Sequence, residues 1–256
     1  YFAAASWSEI CRRIGKRELA PGMLLSGDNA FWECFDAYLA GECTAADAIA
    51  PWNIAGLADR SKAGMYHANL SDVIAAAEKL AESGAVLVRQ FENEAGPFIH
   101  RTTTGPEIWR DLDGKVDAFI SGIGTGGTIT GTGQYLKEKN PAIKVFGVEP
   151  AASPILNGGE PGPHPIQGIG PNFIPNVLDR TVYDEILDAT AADAIKYARR
   201  AGAEEGFLAG ISSGATLWAA SEIAKRPEFA GKNIVVICAS NGERYLSTVL
   251  YEDLVD

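Results

Sequence analysis

Positive charge is in short supply in this sequence: 22 Lys and Arg stand against 33 Asp and Glu, the formal net charge is -11, and no dense basic run occurs. Nucleic acids and anionic membrane surfaces both need clustered positive charge, so neither is an expected partner and a small molecule is the default ligand. Cysteine and histidine are sparse too. Cys11, Cys34, Cys43 and Cys238 lie far apart with no C-x-x-C pair, and His67, His100 and His164 are too few to complete a zinc site. The expectation is a reduced, cytoplasmic protein without structural metal. No apolar stretch approaches the ~20 residues that cross a bilayer. The chain opens on Tyr1, Phe2 and Ala3 without an initiator Met, a basic n-region or a cleavage signal, which reads as a fragment or trimmed chain with no secretory leader.

What the sequence does have is apolar content, 46% of 256 residues, enough to bury a substantial core in one large domain or two modest ones. From about residue 116 short β-rich runs alternate with longer amphipathic ones, the pattern of a parallel sheet covered by helices and hence of an α/β fold. Strands are predicted over 116–123, 143–148 and, as a buried strand, 234–238, with a short apolar run over 207–211. Helices are predicted over 127–139, 190–205 and 213–225. Thr190 is a capping residue for the second of these, with Asp193 three positions on. Residues 150–175 are rich in Gly and Pro and form a long irregular connection, a kind of loop often kept for function. Upstream, 71–82 reads as a helix and 85–88 as a strand, while the first 65 residues suggest helices without clear strand partners.

Gly122, Ile123, Gly124, Thr125, Gly126, Gly127 and Thr128 follow a predicted strand and open a predicted helix. Backbone amides and the helix dipole converge there, which makes an anion site. Two ligands suit it. Gly122, Gly124 and Gly127 spell G-x-G-x-x-G, and Glu149 ends the next strand where a dinucleotide fold keeps its ribose acid. Alternatively the loop holds one phosphate, with Thr125 and Thr128 adding hydroxyl donors. Glycine spacing alone leaves both open.

Further stretches follow in order: Gln90-Phe91-Glu92-Asn93, Thr103-Thr104-Gly105-Pro106-Glu107-Ile108-Trp109, the run from Pro161 through Gln167-Gly168-Ile169-Gly170, Gly210-Ile211-Ser212-Ser213-Gly214-Ala215, and Gly242-Glu243-Arg244-Tyr245-Leu246-Ser247-Thr248. With the glycine loop, this series resembles the cysteine synthases (O-acetylserine sulfhydrylases), fold type II pyridoxal-phosphate enzymes, over roughly the last two thirds of the chain. The resemblance implies parallel sheets flanked by helices in two lobes, a smaller one over 1–92 and a larger cofactor-binding one over 93–256, with the cofactor cleft between them. It implies pyridoxal 5'-phosphate as cofactor. The phosphate would be held by Gly124, Thr125, Gly126, Gly127 and Thr128, the pyridine nitrogen would face Ser212, and the substrate carboxylate would lie by Gln90 and the backbone near Gly170. A neutral hydroxyl cannot hold the pyridine nitrogen fully protonated as a carboxylate would, so electron withdrawal is moderate and suits β-elimination of a good leaving group. Ser212 and Ser213 can also cap the helix that starts beside them. His100, His164 and the Glu243–Arg244 pair read as structural support.

The resemblance breaks in the first third. The family's Schiff-base lysine lies in a Ser-Val-Lys-Asp-Arg-like segment that this sequence lacks; the nearest text, Ile10-Cys11-Arg12-Arg13, puts a thiol in its place, and a thiol cannot form a Schiff base. Lys16 is the local substitute. Ser26-Gly27-Asp28-Asn29 is what remains of the loop that clamps the substrate carboxylate, with Asn29 the residue to reach the cofactor's 3′ oxygen. Pro171-Asn172 and Ala239-Ser240-Asn241 depart from the family text beside the pocket. The implied reaction is O-acetyl-L-serine plus sulfide giving L-cysteine and acetate. Implied partners are a small amino-acid substrate, a second copy in a homodimer and the C-terminal tail of serine acetyltransferase. A catalytically inactive homologue that binds a partner and a dinucleotide-binding oxidoreductase remain as alternatives.

Overall fold

The computed structural model describes residues 88–252 together with Glu78 and Glu82. The chain divides into two compact units, Tyr1–Val88 and Arg89–Asp256, and the described residues fall almost wholly in the second. The expected helix over 71–82, apart from Glu78 and Glu82, and the expected strand over 85–88, apart from Val88, lie outside the described residues, as do Lys16 and Asn29.

Among the described residues, four parallel strands form one sheet in the order β3-β2-β1-β4. They are β1 (Ala118–Gly122), β2 (Lys144–Pro150), β3 (Glu185–Ala189) and β4 (Ile234–Val236). Ala118 stands opposite Lys144 on one side and Ile234 on the other, and Phe146 stands opposite Glu185. Two buried clusters cover the faces. Ala118 and Ile120 point to one face with Phe146, Val148 and Leu187, while Phe119 and Val145 point to the other, the alternation a pleated strand imposes. Each such Ile or Phe, wholly removed from water, contributes about 1.5–3 kcal/mol of burial free energy.

The first face packs on α4 (Ala191–Glu205) and α5 (Ile211–Ala224), the second on α3 (Gly127–Lys139). α4 starts as its sequence dictates: Thr190 accepts a hydrogen bond from the Asp193 amide at 3.1 Å, and the helix ends at Gly206 in the left-handed region. α5 departs from expectation. It begins at Ile211 with Gly210 as its N-cap, two residues before the predicted start, so neither serine caps it. The Gly210 amide is already bound to the Ser240 carbonyl (2.9 Å), and this fixes where the helix opens.

Ahead of the sheet, α1 (Ala95–Ile99), a π-helical turn (His100–Thr104) and α2 (Gly105–Asp111) run on from one another against α3. Gly127 and Gly131 make that approach possible, since a β-carbon at either would run into the backbone of Gly96, Pro97 or Arg101. No helix among the described residues is long and apolar enough to cross a membrane.

Thr132, on α3, is fully buried, and its hydroxyl has no hydrogen-bond partner among the described residues. An unmet buried hydroxyl costs about 1–3 kcal/mol. Thr132→Val keeps the shape and removes the orphan group, so its thermal midpoint is expected to equal or exceed wild type by about 2–4 °C; a lower midpoint in calorimetry would mean that the hydroxyl is satisfied after all.

Candidate active site

The strand order changes direction at β1: the chain winds from β1 through β2 to β3 on one side, then returns to place β4 on the other. In open parallel sheets ligands sit at such a switch point, beyond the carboxyl ends of the strands. The glycine loop leaves β1 at that point. Gly126 is the N-cap of α3 in the left-handed region (φ 88°), a conformation that costs a side-chain-bearing residue but not glycine. Beyond Gly127, the amides of Thr128 and Ile129 are helix-start donors with no intrahelical partner. Thr125 Oγ1 accepts the Gly127 amide (3.3 Å), which tightens the turn.

Two distant stretches come together at this loop. A β-carbon at Gly124 would strike the Gly168 carbonyl, so the two backbones touch. Gly168 (φ 93°) in turn faces Ser212, whose Oγ lies 3.7 Å from where its β-carbon would be. The Gly170 amide donates to the Ile123 carbonyl at 3.0 Å. The structure therefore brings Gly124, Thr125, Gly126, Gly127, Thr128, Gly170 and Ser212 to one end of the sheet. Ser212 is only 6% exposed and its hydroxyl makes no hydrogen bond among the described residues. Its neighbour Ser213 is spent on structure, donating to the Ser240 carbonyl at 3.0 Å. Gln90 is exposed, next to Phe91, whose ring packs edge-on against Phe173 of the segment that follows Gly170 (4.9 Å between centroids).

His100 is a site neighbour that the sequence shows only as support. It is 8% exposed; one ring nitrogen lies 3.2 Å from the Thr128 hydroxyl and the other 2.9 Å from Thr104 Oγ1, so it orders the loop's last hydroxyl. The signal that could have found it is its place ahead of a run of three threonines, which helical and turn rules pass over. Burial lowers its pKa from the ordinary value of about 6.5. As pH falls through 6.5 the unfolded chain takes up this proton first, so the stability contributed by neutral His100 is present above that pH and lost below it. Melts between pH 8 and 5 are expected to give wild type a steeper acid loss than His100→Gln. Comparison with that variant is needed because Glu149, raised by burial, acts in the opposite direction.

Glu149 also bears on the dinucleotide alternative. It is buried at the end of β2, and its two oxygens accept the Leu156 and Asn157 amides at 2.9 and 3.0 Å. The carboxylate that would serve a ribose is thus turned inward and occupied. Glu243 and Arg244, expected to support each other, are exposed and make no hydrogen bond or ion pair among the described residues; the support there comes from Ser240 Oγ and the Tyr245 hydroxyl, 3.1 Å apart. His164 keeps a structural place, its Nε2 donating to the Gly170 carbonyl at 2.8 Å. Among the described residues no group of His, Cys, Asp and Glu could hold a metal ion.

Residues 61–240 match the family described as pyridoxal-phosphate dependent enzyme. The chain is similar to a cysteine synthase of Staphylococcus aureus (strain Mu50 / ATCC 700699), 50% identical over 177 residues, covering 69% of this chain and 57% of that relative. It therefore spans less than two thirds of the length of that curated relative. Among solved structures it is similar to a cysteine synthase (OASS) from Entamoeba histolytica, with a TM-score of 0.71 and 35% identity over 95% of this chain and 75% of that one. It is also similar to an O-ureido-L-serine synthase, with a TM-score of 0.69 and 44% identity over 75% and 60% of the two chains. Pyridoxal phosphate is the cofactor of this family, and the parallel sheet with its switch-point loop is the family's fold. The chain belongs to the pyridoxal-phosphate dependent enzymes, in the fold type II group that includes the cysteine synthases.

Proposed function

We propose that the protein binds pyridoxal phosphate and an O-acylated amino acid and that its reaction is the β-replacement of cysteine synthases, O-acetyl-L-serine plus sulfide giving L-cysteine plus acetate. The carrying observation is the meeting of the glycine loop, Gly168 and the unbonded hydroxyl of Ser212 at the carboxyl end of β1. These residues fit the cofactor. The loop amides and the hydroxyls of Thr125 and Thr128 suit a phosphate dianion at the start of α3, and Gly168 leaves open space beside Ser212. When bound, pyridoxal phosphate supplies the electron sink for breaking the Cβ–O bond.

The rest falls to the chain. Ser212, a neutral hydroxyl, meets the pyridine nitrogen without forcing a proton onto it, which is adequate for a leaving group as good as acetate. The exposed amide of Gln90 donates to the substrate carboxylate, with the backbone near Gly170 lining the same pocket. Lys16 takes the part of the family's lysine and Asn29 that of the 3′-oxygen contact. A smaller lobe over 1–92, a larger one over 93–256, a cytoplasmic location, a homodimer and docking of a serine acetyltransferase C-terminal tail belong to the same proposal.

A second reading, a relative that binds cofactor without turning substrate over, rests on the lysine segment missing from the first third of the sequence, which the described lysines do not replace. Among the described residues, Lys115, Lys144 and Lys232 stand at the amino ends of strands, Lys137 and Lys139 end α3, Lys225 follows α5 and Lys196 lies along α4, so none belongs to the glycine loop, the Gly168 turn or the start of α5.

Thermal protection separates these possibilities from the oxidoreductase. Pyridoxal phosphate at about 100 times its Kd is expected to add about 2.7 kcal/mol, a rise of several degrees, while NADH adds nothing. Protection by NADH and not by pyridoxal phosphate would replace the proposal with the oxidoreductase.

A further inference from the structure

The chain between Gly168 and Leu178 works as a strap. It starts beside Ser212, touches the glycine loop through Gly168 and again through Leu178, whose side chain packs where a β-carbon of Gly126 would be, and lays Phe173 on Phe91 next to Gln90. The Val177 amide donates to the Phe91 carbonyl at 3.2 Å, closing it at that end. The strap thus spans the distance from the proposed ring contact to the proposed carboxylate contact.

At its middle, Asn172 holds a positive φ of 66°, one of three non-glycine residues in that region among those described. Asparagine tolerates the left-handed well better than most side chains, yet it gives up freedom there that glycine would keep. Pro171, just before it, has φ fixed by its ring. What holds the turn is a single side-chain bond: Ser153 Oγ donates to Asn172 Oδ1 at 2.7 Å. Ser153 is 1% exposed, and this is the only bond its hydroxyl makes among the described residues, so without Asn172 the group would be buried and unmet.

The post that carries Ser153 is itself rigid. Its amide donates to the Pro150 carbonyl (2.9 Å), its carbonyl accepts the Ile155 amide (2.9 Å), and Glu149 holds the Leu156 and Asn157 amides just beyond. On the other side, Gly170 is pinned through its amide to Ile123 and through its carbonyl to His164.

From this we infer that Ser153 and Asn172 are a positioning pair, a clasp that fixes the strap as the substrate-side wall and so sets affinity for the amino acid without setting affinity for the cofactor. The split follows from the geometry. The strap meets the glycine loop only at its two ends, which the Gly170 amide on Ile123 and the Val177 amide on Phe91 hold without the clasp, whereas the stretch from Pro171 to Phe173 depends on it. The role toward substrate rests on the proposed function; the mechanical coupling does not.

The test uses the full chain in four forms: wild type, Ser153→Ala, Asn172→Gly and the conservative Asn172→Asp, which keeps an acceptor and tolerates positive φ. Hydrogen exchange of residues 168–178 is expected to quicken in Ser153→Ala and Asn172→Gly and to stay slow in Asn172→Asp. In the pyridoxal-phosphate-loaded protein, the first two variants should weaken O-acetyl-L-serine binding about tenfold while cofactor affinity changes less than about twofold, and the double variant should lose less than the sum of the singles because the two residues share one bond. Wild type that binds both ligands, with exchange unchanged in the variants or with both affinities falling together, overturns the clasp alone. Wild type that binds neither ligand overturns the proposed function and the pair's role toward substrate with it.

Discussion

Gly126→Leu is expected to lower affinity for pyridoxal phosphate by about a hundredfold, a change of about 2.7 kcal/mol, in a protein that still folds. Two costs combine at this position. Leucine is strained at a φ of 88°, and its β-carbon would lie 2.8 Å from the β-carbon of Leu178. Strain in the left-handed region costs about 1–2 kcal/mol and overpacking about 1–3 kcal/mol. The chain escapes both by turning the peptide before α3 and pushing Leu178 aside, and in that relaxed form the loop amides no longer converge. The cofactor must then drive the loop back at its own expense, which reduces the apparent affinity by the fraction of molecules in the competent form. Gly126→Ala keeps the same strain with less bulk and should fall between wild type and leucine. Fluorescence titration with pyridoxal phosphate gives the affinities and calorimetry checks the fold. Equal affinity in all three proteins, each folded, would remove the loop from the cofactor site.

The parts of the fold that can be read in the sequence are those whose ends carry their own chemistry. α3 runs over the predicted 127–139 because a glycine in the left-handed region opens it, and α4 follows its Thr190 and Asp193 signals. The misses are cases where tertiary structure overrules local pattern. The helical run over 95–111 contains two glycines, two prolines and three successive threonines, which local rules assign to a loop; it is helical because Gly127 and Gly131 let α3 approach within backbone contact. β3 escapes local pattern because Glu185 and Asp188 break its apolar run. Yet Glu185 sits at the sheet end and is held by the Arg226 guanidinium through two bonds of 2.7 Å, so its charge does not oppose the strand. β4, expected to be buried, is half-exposed and stands at the edge of the sheet among the described residues.

The same division holds for the site. Motif order is a property of the sequence, and the glycine loop, Ser212 and the Gly168 turn can be singled out from it. That Gly168 stands between Gly124 and Ser212 depends on the strand order, which no local pattern carries. Glu149 shows how far burial can change a role: an acid whose position suits a ribose instead holds the turn beneath Ser153. The clasp from Ser153 to Asn172 joins residues 19 apart in a segment with neither helical nor strand period, so the sequence offers no sign of it.

Turnover of O-acetyl-L-serine with sulfide is expected to be at most weak, about 10²–10⁴-fold below that of a family member with its lysine in place, the range that a positioned acid–base group contributes. The described part of the chain carries the residues proposed for the phosphate, the ring nitrogen and one side of the substrate, and no lysine among the described residues stands at the carboxyl end of its sheet. Lys16, Lys62 and Lys79 are the lysines upstream of residue 88, and only Lys16 lies near the text where the family keeps its own. If Lys16 serves, incubation with pyridoxal phosphate gives a visible absorption band, borohydride fixes the cofactor, and peptide mapping finds the label on Lys16; Lys16→Ala then loses both band and label while reversible cofactor binding persists through the glycine loop. If the protein is a non-catalytic relative, the label is found on no lysine and cysteine forms no faster than in buffer. These outcomes differ in the label, not only in the rate, so a failed assay cannot be mistaken for an answer. Efficient turnover with the label on a lysine outside the first 65 residues would contradict both versions, because it would require a covalent anchor from a part of the chain whose described lysines all lie away from the glycine loop and Ser212.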